Sequence, residues 1–157
     1  MASDEELFAV IATPSPVPPI VDRARWPVHV TVAGIFGVGA PGVAAIPDLL
    51  ESVLHGMASF DVELGPLDRF GAGGDVPVLL APHPLLDEIH ESLAAGLGHI
   101  PGFSPVEPDY WGDGYRPHAT LGPAVSATAG DMLAIRVFSL VGLHGPDGHR
   151  RFAVNLP

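Results

Sequence analysis

Two short phrases put the same residue types at the same spacing. Residues 27–34 read PVHVTVAG, and residues 117–122 read PHATLG. Each holds a histidine, one spacer and a threonine, with an apolar residue next. On an extended strand, positions i and i+2 share a face. His29 therefore sits beside Thr31, and His118 beside Thr120. Histidine titrates near neutral pH, so one ring can act as a neutral base while the other acts as a protonated acid. Threonine hydroxyls and a nearby cation can hold non-bridging phosphate oxygens and the charge that develops on them. If the two strands lie side by side, two imidazoles and two hydroxyls line one groove. Such a groove can activate a nucleophile on one side of a phosphorus and protonate a leaving oxygen on the other, without metal. With eight histidines and four threonines in the chain, a chance H-x-T is expected about 0.2 times. One copy alone thus carries little, whereas the pair carries information. Hydrogen-bonded core histidines would account for either phrase singly but not for the repetition.

Other residues could serve the same chemistry. Arg116 precedes His118 by two positions and can share its face, so it is a candidate phosphate contact. Tyr110, Trp111 and Tyr115 crowd the loop before the second phrase. Such rings can stack on a base, although their commoner use is to pin a long loop to the core. Tyr115, beside Arg116, is carried forward as a substrate-binding candidate. Arg23 and Arg25 precede the first phrase and read as solvated arginines, and Phe36 reads as core. His83 and His90 flank HPLLDEIH, with Asp87 and Glu88 between them. That is too few ligands at helical spacing for a metal site, so both histidines read as surface residues and no metal site is expected. His144 and His149 flank the turn GPDG.

The elements that must position these residues follow from hydrophobic periodicity. LFAVIAT (Leu7 to Thr13) reads as a buried strand ending at PSPVPP, and VHVTVAGIF as a second strand broken by GVGAPG. Pro41 to Met57 reads as a helix, with Ile46, Leu49, Leu50, Val53, Leu54 and Met57 at three-four spacing. FDVELGPLDRF reads as one half-buried strand, GAGGD as a turn and VPVLLAP as another strand. Pro84 to Leu97 is a second helix, HATLG a strand, and residues 124–133 a short helix. AIRVFSLVGLHGPDGHRRFAVNL reads as a hairpin turning at GPDG. This order of elements favours α+β, with mixed or antiparallel sheets and packed helices, over a doubly wound parallel sheet. No low-complexity linker divides residues 1–157, so a single domain is expected.

Composition limits the partners. The 157 residues are 47% hydrophobic and 16% charged, which is enough to bury a core and too apolar for disorder. With no cysteine, a disulfide scaffold, a thiol nucleophile and a thiolate metal site are all excluded. The formal net charge is -11, with seven arginines and no lysine. Extensive duplex nucleic acid, which gains affinity from many phosphate-neutralising cations, is a poor partner for such a surface, as is an anionic membrane. The opening MASDEELFAV lacks the positive n-region of a signal peptide. The charge-free run from Trp26 to Pro47 is too rich in glycine and proline for a span. A cytoplasmic location is expected.

Taken with the opening LFAVIA, the phrase YRPHATLG and the final hairpin, the two H-x-T phrases resemble the 2H phosphoesterase superfamily. Within it they resemble the bacterial RNA 2′,3′-cyclic phosphodiesterases, or 2′-5′ RNA ligase-like proteins. The resemblance runs through nearly the whole chain in the right order. It implies a two-lobed α+β fold whose central groove holds both motifs. It also implies metal-independent hydrolysis, without a cofactor, of cyclic or 2′-5′ phosphodiesters to 2′-phosphates. By position, His29 matches the histidine that protonates the leaving ribose oxygen, and His118 the one that activates water. The orientation of the substrate decides that assignment. Thr31 and Thr120 would grip the phosphate. The acidic surface departs from members that act on RNA ends, so three substrates stay open: a cyclic nucleotide, an RNA 3′ end and an ADP-ribose-type cyclic phosphate. The rival readings are a non-catalytic nucleotide- or phosphate-binding module of the same fold and a metal-dependent hydrolase.

Overall fold

The structure is a computed structural model that describes residues 6–157. The acidic opening read for a signal peptide lies mostly outside the described residues. Among the described residues, eleven strands and two α-helices follow one another. They are β1 (Glu6–Thr13), β2 (Ile20–Asp22), β3 (Val30–Val38), α1 (Ala45–Leu54), β4 (Phe60–Glu63), β5 (Leu67–Phe70), β6 (Val76–Leu80), α2 (Pro84–Leu97), β7 (Ser104–Pro105), β8 (His118–Thr120), β9 (Met132–Ile135), β10 (Val137–His144) and β11 (Asp147–Asn155). They form an antiparallel six-stranded sheet in the order β2-β11-β10-β1-β3-β7, a three-stranded sheet β5-β6-β8 and a pair β4-β9. The α+β expectation holds.

The central strand β1 is apolar and buried from Phe8 to Ala12 because both of its faces are covered there. Phe8, Val10 and Ala12 join the main core with Leu50 of α1 and Leu86, Ile89, Leu93 and Leu97 of α2. Ile11 points the other way, into a smaller cluster with Val17, Val21 and Val141 that Trp26 and Leu143 extend. Val17, Val21 and Trp26, from the segment between β1 and β3, pack on this second face. Arg150 donates to the Val17 carbonyl at 2.7 Å, and Arg23 to that of Gly145 at 2.8 Å. Helix α2 starts at its predicted residue because Pro84 suits the first turn and His83 caps it, its Nδ1 accepting from the Leu85 amide at 3.1 Å. A Leu93→Ala change would cost about 2–5 kcal/mol in such a fully buried position.

Three local expectations are corrected. The predicted strand FDVELGPLDRF is two strands, β4 and β5. Pro66 cannot donate to a ladder and Gly65 holds φ +116°, so the chain changes sheet there. Residues 124–133 form no helix. They turn through 122–131 and then enter β9, whose Leu133 and Ile135 fill the core. The helix expected over 41–57 begins only at Ala45, after a 3₁₀ turn at Ala40–Gly42. Gly42 sits against Ile100, where any side chain would collide, so this turn is set by packing.

The two motif strands touch but share no ladder: β3 belongs to the six-stranded sheet and β8 to the three-stranded one, and the phrases line one groove between them.

Candidate functional site

The groove is a cavity of about 410 Å³, and all four motif residues (His29, Thr31, His118 and Thr120) line it. A smaller cavity of about 270 Å³ adjoins it and shares Arg23, Trp26, His29 and Thr120. The β8 side follows simple alternation. Ala119 is fully buried while His118 and Thr120 face outward, opposite Leu80 and Val78 of β6. The β3 side does not. Its register against β1 shifts twice, between Thr31 and Ala33 and between Ala33 and Phe36, the mark of β-bulges. Thr31, Gly34 and Ile35 therefore line the cavity, whereas strict alternation would send Ala33 there.

The two histidines are held by the same device. His29 Nδ1 lies 2.8 Å from the carbonyl of Pro27, and His118 Nδ1 lies 2.8 Å from that of Arg116, two residues back in each case. A carbonyl only accepts, so each Nδ1 carries the hydrogen and each Nε2 is the nitrogen available to the groove. Each ring also has an aromatic neighbour. Trp26 lies 5.3 Å from His29, and Phe70 lies edge-on 4.4 Å from His118. Burial pushes the His29 pKa below the ordinary histidine value, against the Pro27 bond, and the nearby His118 lowers it further. Burial likewise lowers His118, against its own backbone bond, with help from the positive charge of Arg116. Both rings thus favour the neutral form in the absence of an anion. A bound phosphate would favour protonation of one of them.

The structure places the remaining candidates as follows. Arg23 lines both cavities, whereas Arg25 lines neither. Arg116 is exposed, paired with Asp68 at 3.1 Å and set over the Phe70 ring, and it is not among the cavity-lining residues. The amide of Arg69, then Arg116 itself, holds the Asp68 carboxyl below its ordinary value. Tyr115 does not line the cavity either. Its hydroxyl donates to the Thr31 carbonyl at 2.8 Å, and burial raises its pKa. Tyr110 and Trp111 do line it, with Tyr110 stacked 5.9 Å from Phe70 and Trp111 packed on Phe36 and Phe103. Phe36 is core, as expected.

The reading of His83 and His90 as surface residues is overturned. His83 is half-buried against Phe60. His90 is only 1% exposed, because it lies on the apolar face of α2 with Leu86, Ile89 and Leu93. Its position three and four residues from apolar neighbours was the available signal. Trp26, Phe70 and Glu107 also line the groove. Phe70 could not be found from sequence, since only the β5-β6-β8 pairing brings it beside His118. Among the described residues no group of three or more His, Cys, Asp or Glu is placed to hold a metal. No helix among them is long and apolar enough to cross a membrane.

Comparison with known proteins agrees with this fold. The profile of a family described as the 2′-5′ RNA ligase superfamily matches residues 16–141. No curated protein matches at the significance required. Among solved structures, Escherichia coli LigT in apo form superposes with a TM-score of 0.61 at 17% identity, covering 98% of this chain and 99% of that one. E. coli LigT complexed with ATP gives 0.63 at 16% identity over the same shares. A structure described as a phosphoesterase gives 0.59 at 19%, covering 98% and 99%. LigT structures complexed with 3′-AMP and with NADP+ match as well.

Proposed function

The chain belongs to the 2′-5′ RNA ligase superfamily, and from that premise we propose that it is a metal-independent phosphodiesterase. On this reading it opens 2′,3′-cyclic phosphates of nucleotides or RNA ends to 2′-phosphates, with 2′-5′ linkages as related substrates. The observation that carries the reading is the pair of histidines with matching tautomers on opposite walls of one cavity. The nucleotides described in the LigT structures support a nucleotide here, with its base against Tyr110 and Trp111.

Following the resemblance, neutral His118 takes a proton from water through Nε2 as the water oxygen attacks phosphorus. The bond from phosphorus to the ribose 3′ oxygen breaks, and protonated His29 delivers its Nε2 hydrogen to that oxygen. The phosphate stays on the 2′ oxygen. A substrate entering in the opposite sense exchanges the two roles. The hydroxyls of Thr31 and Thr120 donate to the non-bridging oxygens, where charge grows in the transition state. Arg23 is the cation on the cavity wall and takes the role expected of Arg116, whose guanidinium is committed to Asp68.

The test is hydrolysis of 2′,3′-cyclic nucleotides and of RNA ending in a cyclic phosphate, with and without chelator. Chelator-resistant release of a 2′-phosphate is expected. His29→Ala and His118→Ala should each lower kcat by about 10²–10⁴-fold, the range for loss of a general acid or base. Turnover in either variant equal to that of the unmodified protein would refute the assignment. Saturable binding without turnover would instead identify a binding module.

A further inference from the structure

We propose that His90, which lies outside both H-x-T pairs, is a positioning residue. It fastens the loop that walls the larger cavity to the strand that carries Thr31. The inference rests on reading that cavity as the substrate site.

β3 needs help at this point. Its outer neighbour β7 pairs only with Phe36 and Gly37, so no strand on that side reaches residues 31 and 32. Side chains take their carbonyls instead. Tyr115 donates to the Thr31 oxygen at 2.8 Å, and His90 Nδ1 lies 2.8 Å from the Val32 oxygen. The other nitrogen of His90, Nε2, receives the Gly112 amide at 2.9 Å. One partner is an acceptor and the other a donor, so only the neutral ring with hydrogen on Nδ1 satisfies both. The Tyr115 ring lies flat on His90, with centroids 4.0 Å apart and planes at 8°, and Trp111 packs 5.3 Å away. One buried imidazole thus joins α2, the motif strand and the loop carrying Glu107, Tyr110 and Trp111. An aliphatic side chain would fill the same space in the core. What histidine adds is the pair of hydrogen bonds.

The stretch that walls the cavity, Glu107 to Trp111, bonds neither histidine itself: His118 is held by Arg116, beyond the latch point at Gly112, and His29 by Pro27. Loosening it should therefore weaken ground-state binding more than the chemical step. The measurement is kcat and KM on a 2′,3′-cyclic nucleotide for full-length His90→Leu and His90→Gln, with hydrogen exchange at the Gly112 amide. Leucine removes both bonds. The glutamine amide offers a donor and an acceptor spaced like the two ring nitrogens. His90→Leu should raise KM about tenfold with kcat within about threefold, the order expected for two modest hydrogen bonds. It should also expose the Gly112 amide to exchange, and His90→Gln should restore most of both. Unchanged KM in folded His90→Leu, equal loss in kcat and KM, or no recovery with glutamine would overturn the proposal. If the leucine variant does not fold, the ring nitrogen chemical shifts of the unmodified protein decide: they should place the His90 hydrogen on Nδ1, and a hydrogen on Nε2 would overturn the latch. Absence of turnover in the unmodified protein would refute the phosphodiesterase reading alone. The latch would then stand or fall on Gly112 exchange, where full protection in His90→Leu would overturn it.

Discussion

Each motif histidine spends one nitrogen on its own backbone, which is why the phrase can work as a unit wherever the fold places it. The bond to the carbonyl two residues back needs only local geometry. A reader of the sequence can therefore anticipate the paired residues, but not their tautomers. Three histidines, His29, His90 and His118, have pKa values pushed down chiefly by burial. At His90, the Val32 bond and the charges of Asp87 and Glu91 oppose that effect. The sign follows directly. A histidine of lowered folded pKa binds its proton more readily when unfolded, so stability is complete above the unfolded value of about 6.5 and is lost as pH falls through it toward the folded values. The acidic surface works the other way, since protonating carboxylates relieves repulsion at a net charge of -11. The histidine contribution is therefore isolated by difference. Urea midpoints measured from pH 7.5 to 5 should fall more steeply in the unmodified protein than in His90→Gln. Parallel slopes would show that His90 titrates alike in both states.

Strand and helix identity was largely readable, and the irregular joints were not. Helix α2 ran as expected from Pro84 to Leu97 because three-four spacing and an N-terminal proline agree. The hairpin of β10 and β11 formed where GPDG suggested. The bulges in β3 left no signal, since VHVTVAGIF alternates well at its start. The loop before β8 supplies Glu107, Tyr110 and Trp111 to the cavity wall. Its fold is tight at Gly114, where an added Cβ would overlap the carbonyl oxygen of Asp109, a backbone atom that cannot step aside. Gly114→Ala should displace Tyr110 and Trp111 and raise KM several-fold. Because Trp111 of this loop packs on the core residue Phe36, the melting temperature should fall as well, by several degrees for a loss of about 1–3 kcal/mol. Steady-state kinetics beside a thermal melt check both parts.

At the scale of the molecule, a net charge of -11 surrounds a cavity wall with one arginine and one glutamate. A basic RNA-binding protein loses affinity steeply with salt, by about 10³–10⁵ between 50 and 200 mM when six to ten phosphates are contacted. Here added salt screens repulsion instead. The KM for an oligonucleotide ending in a cyclic phosphate should stay level or fall over that range, as read from rates at graded salt. A tenfold rise would indicate a polyanion-binding face that the surface charge does not suggest. Composition, the apolar periods of β1 and α2, and the repeated H-x-T phrase were all set by the sequence itself, because each depends on residue type and local spacing. Tertiary structure decided that the phrases meet across a groove rather than along a ladder. It also brought Phe70 beside His118 and put His90 inside. Those facts depend on which strands pair and which faces are covered, and such contacts join residues far apart in the chain.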